Sequence, residues 1–187
     1  MVEVNIQHII GTVALMSLII STSLFYMIIT SSLEEDLRKK ELAQISEIVA
    51  SNIEEMINLA KFAKYTTDYM VKIIDLPIDL NGRAYQIQLI EDPQKGYYVH
   101  TFLTTQPTLN ANATIPQNTG SIPIKLYTDT TVQHIVAGVD KLQIACSGII
   151  YGKNSTVIWA SHDWGSGQAG PTPELITIGI GWVKAQP

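Results

Sequence analysis

The first 76 residues of this 187-residue chain contain no proline and one glycine, Gly11, although the whole sequence has eight prolines and 12 glycines. Because proline and glycine are the strongest helix breakers, little in this part opposes a long helix. Residues 4–33 also lack Asp, Glu, Lys and Arg. A hydrocarbon core about 30 Å thick requires about 20 apolar residues in a helix, so this segment is long enough to span a membrane.

The chain also has little cysteine and no excess of positive charge. Cys146 is the sole cysteine, which excludes an intrachain disulfide bond, and its apolar neighbours predict a buried strand residue rather than a reactive thiol. The chain carries 12 Lys and Arg against 17 Asp and Glu, a net charge of −5. Nucleic-acid binding requires a basic excess, so nucleic acid is not an expected partner.

The composition changes at Leu76-Pro77, since all prolines and the remaining glycines follow this point. The change predicts three parts: a membrane-spanning or filament-core helix over 1–33, an amphipathic helical stalk over 34–76, and a β-rich extracellular head over 77–187. The predicted fold class is therefore α+β, with a long N-terminal helix that carries an antiparallel, sandwich-like head.

Two patterns predict that the stalk is helical as far as about Ile74. Acidic residues precede basic residues by four positions at Glu34 and Arg38, a favourable order in a helix. Apolar residues then recur at steps of three and four: Leu42, Ile45, Val49, Ile53, Met56, Ala60 and Ala63. Such a stripe usually packs against a core, and a coiled coil with sister chains is the alternative.

The head is predicted to contain seven short strands. Tyr85, Ile87 and Leu89 alternate with Gln86 and Gln88, a pattern typical of a strand with one solvated face. The other strands are expected at 97–102, 122–127, 132–139, 142–151, 156–161 and 175–184. The polar segment 104–121 is predicted to be an exposed loop.

The residues that commonly carry chemistry do not form a recognisable catalytic or metal-binding pattern. Ser161, His162 and Asp163 are adjacent in the chain and therefore cannot form a catalytic triad. We expect neither enzymatic activity nor a cofactor or metal. Trp164, in a glycine-rich segment, is the candidate for surface recognition, and Asn112 and Asn154 lie in possible N-glycosylation sequons.

Three interpretations of the apolar N-terminal segment remain. A signal peptide would have a basic start and a shorter apolar region. A single-pass anchor fits the length, although Arg38, Lys39 and Lys40 after the span favour a cytoplasmic head by the positive-inside rule. The third interpretation is a helix that packs with copies of itself, which the many small hydroxylic residues of the span favour if they bond across helices. The alternative is that these hydroxyl groups bond back to carbonyls of their own helix.

The sequence Ile9-Ile10-Gly11-Thr12-Val13-Ala14-Leu15 resembles the start of the hydrophobic helix of archaeal type IV pilin-like proteins, a group that includes archaellins. Asp75-Leu76-Pro77, Gly82 and the alternating strand from Tyr85 resemble the entry into the head of the same proteins, so the resemblance covers about the first 90 residues. The family's cleavage site has a basic residue followed by glycine, whereas the corresponding positions here are Val4 and Asn5 after Glu3.

The resemblance implies a structural filament subunit at the cell surface that is held in membrane lipid before assembly. Its partners would be copies of itself and other pilin-like subunits. The residues implied to pack in the assembly helix are Ile10, Gly11, Thr12, Val13, Leu15, Ser17, Leu18 and Ser21. The alternative is a permanently anchored surface protein, similar to a stator or a minor pilin, that does not polymerise.

Overall fold

The computed structural model describes residues 2–62, 69–116, 122–137, 142–152, 155–163 and 175–183. The predicted α+β class is confirmed, since one long N-terminal helix is followed by two β-sheets. The elements are α1 (Val2–Phe62), β1 (Met70–Ile74), β2 (Tyr85–Asp92), β3 (Gly96–Leu103), β4 (Gln106–Thr114), β5 (Ile124–Leu126), β6 (Gln133–Ala137), β7 (Leu142–Cys146), β8 (Ile149–Tyr151), β9 (Thr156–Asp163) and β10 (Leu175–Val183).

The chain divides into two compact units, Met1–Arg38 and Lys39–Pro187. The first unit is helical throughout its described residues, and the predicted pair between Glu34 and Arg38 is formed at 2.9 Å. The second unit contains the rest of α1 and both sheets.

The described residues of the second unit form ten strands in two sheets. The larger sheet has the strand order β1-β9-β10-β7-β6, with β5 also paired to β10, and the smaller sheet has the order β4-β3-β2-β8. The described strand pairs are antiparallel except for β5 with β10, which run parallel. β2 and β3 form a hairpin, in which Tyr85 pairs with Leu103 at one end and Asp92 pairs with Gly96 at the other.

The apolar stripe of the stalk packs in the core of the second unit. Its described members are all buried: Leu42, Ile45, Val49, Ile53, Met56 and Ala60. They share one hydrophobic cluster with the inner faces of both sheets, including Ile87 and Val99 of the smaller sheet and Ile158 and Ile178 of the larger one. Within the chain, this stripe therefore packs against the head, as expected for a core-facing stripe, and not in a coiled coil.

A pair of buried hydroxyl groups fixes α1 on the smaller sheet. Ser46 Oγ and Thr101 Oγ1 lie 2.6 Å apart, so one hydroxyl group donates to the other. Each hydroxyl oxygen also lies 3.0 Å from the carbonyl oxygen of Leu42, which can accept a hydrogen bond from either. Buried polar groups are costly unless they are hydrogen-bonded, so this network favours one placement of the helix on the sheet. Neither residue stands out in the sequence, because both are small polar residues in otherwise regular patterns.

Three predictions about secondary structure were wrong. The described part of α1 runs to Phe62, and Met70–Ile74 is a strand that pairs with β9 rather than the end of the stalk helix. The predicted loop 104–121 contains β4, which pairs with β3. The predicted strand 142–151 is two strands in different sheets, β7 and β8, because the chain crosses between the sheets at Ser147 and Gly148.

Candidate functional site

The apolar half of α1, residues 8–29, is not buried by any other part of the first unit. Ile10, Val13, Leu15 and Leu18 are 58–64% exposed, and they project in different directions because successive residues of a helix are about 100° apart. Every described side chain from residue 8 to 29 is exposed. A helix that is hydrophobic on all sides is normally buried in lipid or in a protein core. Among the described helices, this one is long and apolar enough to cross a membrane.

Four hydroxyl groups in and next to this segment hydrogen-bond to the helix's own backbone. Thr12 Oγ1 donates to the carbonyls of His8 and Ile9 at 2.9 Å, and Thr22 Oγ1 contacts those of Leu18 and Ile19 in the same way. Thr30 and Ser31 also donate to carbonyls three or four residues earlier. These four hydroxyl groups therefore remain hydrogen-bonded when the segment enters an apolar environment.

Gly11 lies at an open position on this surface. A Cβ atom built there meets no heavy atom within 4 Å, so the chain itself imposes no limit on the size of this residue. Its neighbours in the predicted assembly set, Ser17 and Ser21, are likewise exposed. Small residues at such positions allow a second helix to approach closely.

The structure describes only one of the three residues predicted for recognition or glycosylation. Asn112 lies in β4 rather than in a loop, and its side chain is exposed on the solvated face of the smaller sheet. Its Oδ1 accepts a hydrogen bond from Nδ1 of His100 at 2.5 Å. Asn154 and Trp164 lie outside the described residues.

Trp159 belongs to the interior, as its place in a strand predicts. It is 4% exposed, and its ring contacts those of Tyr69 and Tyr127 at centroid distances of 5.7 and 5.6 Å. Gly179 lies beneath this ring, where a Cβ atom would come within 2.5 Å of it. The close approach explains why glycine occupies this position in β10.

Cys146 lies in β7 and is buried, as predicted. Burial raises the pKa of its thiol to about 12, so the reactive thiolate is disfavoured in the folded chain. We therefore expect no labelling of the native chain by a maleimide at pH 8 and complete labelling in denaturant, as measured by intact mass. Rapid labelling of the native chain would contradict the burial of this thiol.

The same shift makes the folded state less stable at high pH. The unfolded thiol ionises near its ordinary pKa of 9.0, whereas the folded thiol remains protonated to about pH 12. The unfolded state thus gains stability from ionisation between these values, and we expect the Cys146 contribution to decrease as the pH rises through this range. Cys146→Ala should reduce this part of the pH dependence in urea unfolding.

Comparison with protein-family models, with curated proteins and with solved structures finds no significant match to this chain. Within the described residues, no group of three or more His, Cys, Asp or Glu side chains is placed to hold a metal ion. The architecture of a long apolar N-terminal helix followed by a β-sheet domain is compatible with the pilin-like resemblance of the sequence.

Proposed function

We propose that this chain is a structural subunit of an archaeal type IV pilus-like extracellular filament, and that it assembles through the apolar half of α1. The observation that carries the proposal is the exposure of this half on every side, while the stripe from Leu42 to Ala60 is buried in the head. Nothing within the first unit covers this half, so contacts from beyond the unit must remove it from water. The sequence resemblance over Ile9–Leu15 selects sister helices as those contacts.

One further feature supports self-assembly. Gly11 leaves an open place for a neighbouring helix on the surface of α1. Outside the membrane, burial of each large apolar side chain contributes on the order of 1.5–3 kcal/mol relative to its exposure to water, so sister helices that surround this half stabilise it in an extracellular filament. The membrane would hold the subunit before assembly, and the head would face the extracellular space.

A second candidate function is a permanently anchored surface protein with the same head. The internal hydrogen bonds of Thr12, Thr22 and Thr30 favour it, because they allow a single helix to remain in lipid without a partner. Both candidates require a membrane-inserted helix and differ only in whether the chain polymerises.

Mechanical shearing of native cells separates the two candidates. A filament subunit is expected in the sheared, detergent-free supernatant, in fibres that antibodies against the head decorate in electron micrographs. A membrane marker protein serves as the control for fragments of cell envelope. Recovery of the chain only with the membranes would contradict the filament proposal and favour the anchored protein.

A further inference from the structure

The smaller sheet has one face that does not contribute to the core. Side chains alternate along each strand, and Ile87, Leu89, Val99 and Leu103 of β2 and β3 are buried on the inner face. The opposite face of the central strand β3 carries three rings, Tyr98, His100 and Phe102. All three side chains are only partly buried.

The strand register places amide side chains on both sides of these rings. On one side, Gln86 pairs with Phe102 and Gln88 pairs with His100. On the other side, Asn110 pairs with Phe102 and Asn112 pairs with His100. Neighbouring strands are about 4.8 Å apart and alternate residues along a strand about 6.8 Å apart, so rings and amides form a regular grid. The ring–amide surface consists of Tyr98, His100, Phe102, Gln86, Gln88, Asn110 and Asn112.

The rings of this surface are held in place by their neighbours. The centroids of His100 and Phe102 are 5.1 Å apart, and their planes are inclined by 33°. Nδ1 of His100 donates to Oδ1 of Asn112 at 2.5 Å, which fixes the imidazole toward β4. On the other flank, the side-chain amides of Gln86 and Gln88 make no hydrogen bond to any described protein group, so they are available to a ligand.

The ring–amide surface contains no Asp, Glu, Lys or Arg. The nearest acidic residue on this side of β2 is Asp92, and its Oδ1 accepts the backbone N–H groups of Gln94 and Lys95 in the hairpin turn. A nucleic acid, an acidic polysaccharide or a charged peptide would therefore find no complementary charge here. The chemistry of the surface suits a neutral ligand.

We propose that the ring–amide surface binds a chain of neutral sugars supplied from outside the protein. A pyranose has apolar C–H faces, which pack on aromatic rings, and a rim of hydroxyl groups that donate and accept hydrogen bonds. The amide groups of Gln86 and Gln88 both donate and accept, so they match hydroxyl groups in either role. On the β4 flank, Asn110 Nδ2 donates to the carbonyls of Pro107 and Thr108, so Oδ1 of Asn110 is left to accept and Nδ2 of Asn112 to donate. A sugar chain that runs along β3 contacts Tyr98 and Phe102 through its faces and the amide columns through its edges. The proposal holds whether the chain polymerises or remains anchored.

Binding is tested with the full-length chain, produced in a bacterial host without N-glycosylation and purified in a detergent that has no sugar headgroup. The probes are hexasaccharides of glucose, mannose, galactose or N-acetylglucosamine, with hexagalacturonate as the charged comparison, and binding is measured by calorimetry. We expect at least one neutral hexasaccharide to bind and Phe102→Ala to weaken its affinity by tenfold or more. Phe102→Tyr, which retains the ring, should bind within about threefold of the unaltered chain.

Two glutamine-to-alanine variants, one on the ring–amide surface and one outside it, provide the matched control. Gln88→Ala removes a group of the ring–amide surface, whereas Gln133→Ala removes an exposed amide from the edge strand β6 of the other sheet. Only Gln88→Ala should weaken binding, and the circular dichroism of all variants should match that of the unaltered chain. The proposal is overturned if no neutral hexasaccharide binds, if hexagalacturonate binds more tightly, or if folded Phe102→Ala binds normally.

Discussion

Replacement of Gly11 by leucine is expected to abolish filament assembly while the subunit still folds and inserts into the membrane. Apart from the adjacent residues and backbone of the helix itself, no described heavy atom lies within 4 Å of the position that the new Cβ would occupy, so the helix accommodates the leucine. Leucine also favours a helix over glycine by up to about 1 kcal/mol. A loss of assembly must therefore come from the added bulk against a neighbouring helix.

The Gly11→Leu variant is measured by counting fibres in electron micrographs and by quantifying the subunit in membranes. Gly11→Ala is the matched control, since its single methyl group should allow most of the assembly to persist. Fibres at the normal level in Gly11→Leu would show that no helix packs closely at this position.

Replacement of Leu42 by alanine is expected to destabilise the second unit by about 2–5 kcal/mol. Leu42 is fully buried between α1 and the sheets, and large-to-small changes in a core lose transfer free energy and leave a cavity. Leu59→Ala provides the control, because Leu59 lies on the same helix and is 51% exposed. Its effect should stay within about 0.5 kcal/mol.

The comparison is made by urea unfolding of both full-length variants in the same detergent, with circular dichroism as the signal. Equal midpoints for Leu42→Ala and Leu59→Ala would contradict the packing of this stripe against the head. A lower midpoint for Leu42→Ala alone is the predicted result.

The sequence predicted the long helix and its buried stripe because a regular pattern of apolar residues persists for several turns. Met70–Ile74 was misassigned because a short apolar run fits a helix and a strand equally well, and only its pairing with β9 makes it a strand. The strand β4 was missed because its inward side chains include the small Ala111 and Ala113, which give a weak apolar pattern. Its partner β3 supplies the hydrogen bonds.

The two candidate surfaces differ in how far sequence alone could identify them. The apolar half of α1 is contiguous in the chain, so composition was sufficient to find it. The ring–amide surface combines residues from β2, β3 and β4, and its order depends on the register that pairs Phe102 with Gln86 and Asn110. The apolar alternation decides which face of each strand is buried, but a shift of two residues preserves that alternation, so the pattern alone does not reveal which residues pair.

The central claim, that the apolar helices of sister chains pack together, is tested most directly by crosslinking in native cells. Ser21 and Ser23 lie about 200° apart around the helix and are both exposed, whereas the native thiol of Cys146 is buried. The double variant Ser21→Cys, Ser23→Cys can therefore link two neighbours through a permeant bismaleimide. We predict a ladder of trimers and larger species that disappears when detergent is added before the reagent. Monomers and dimers alone would contradict helix packing in a filament.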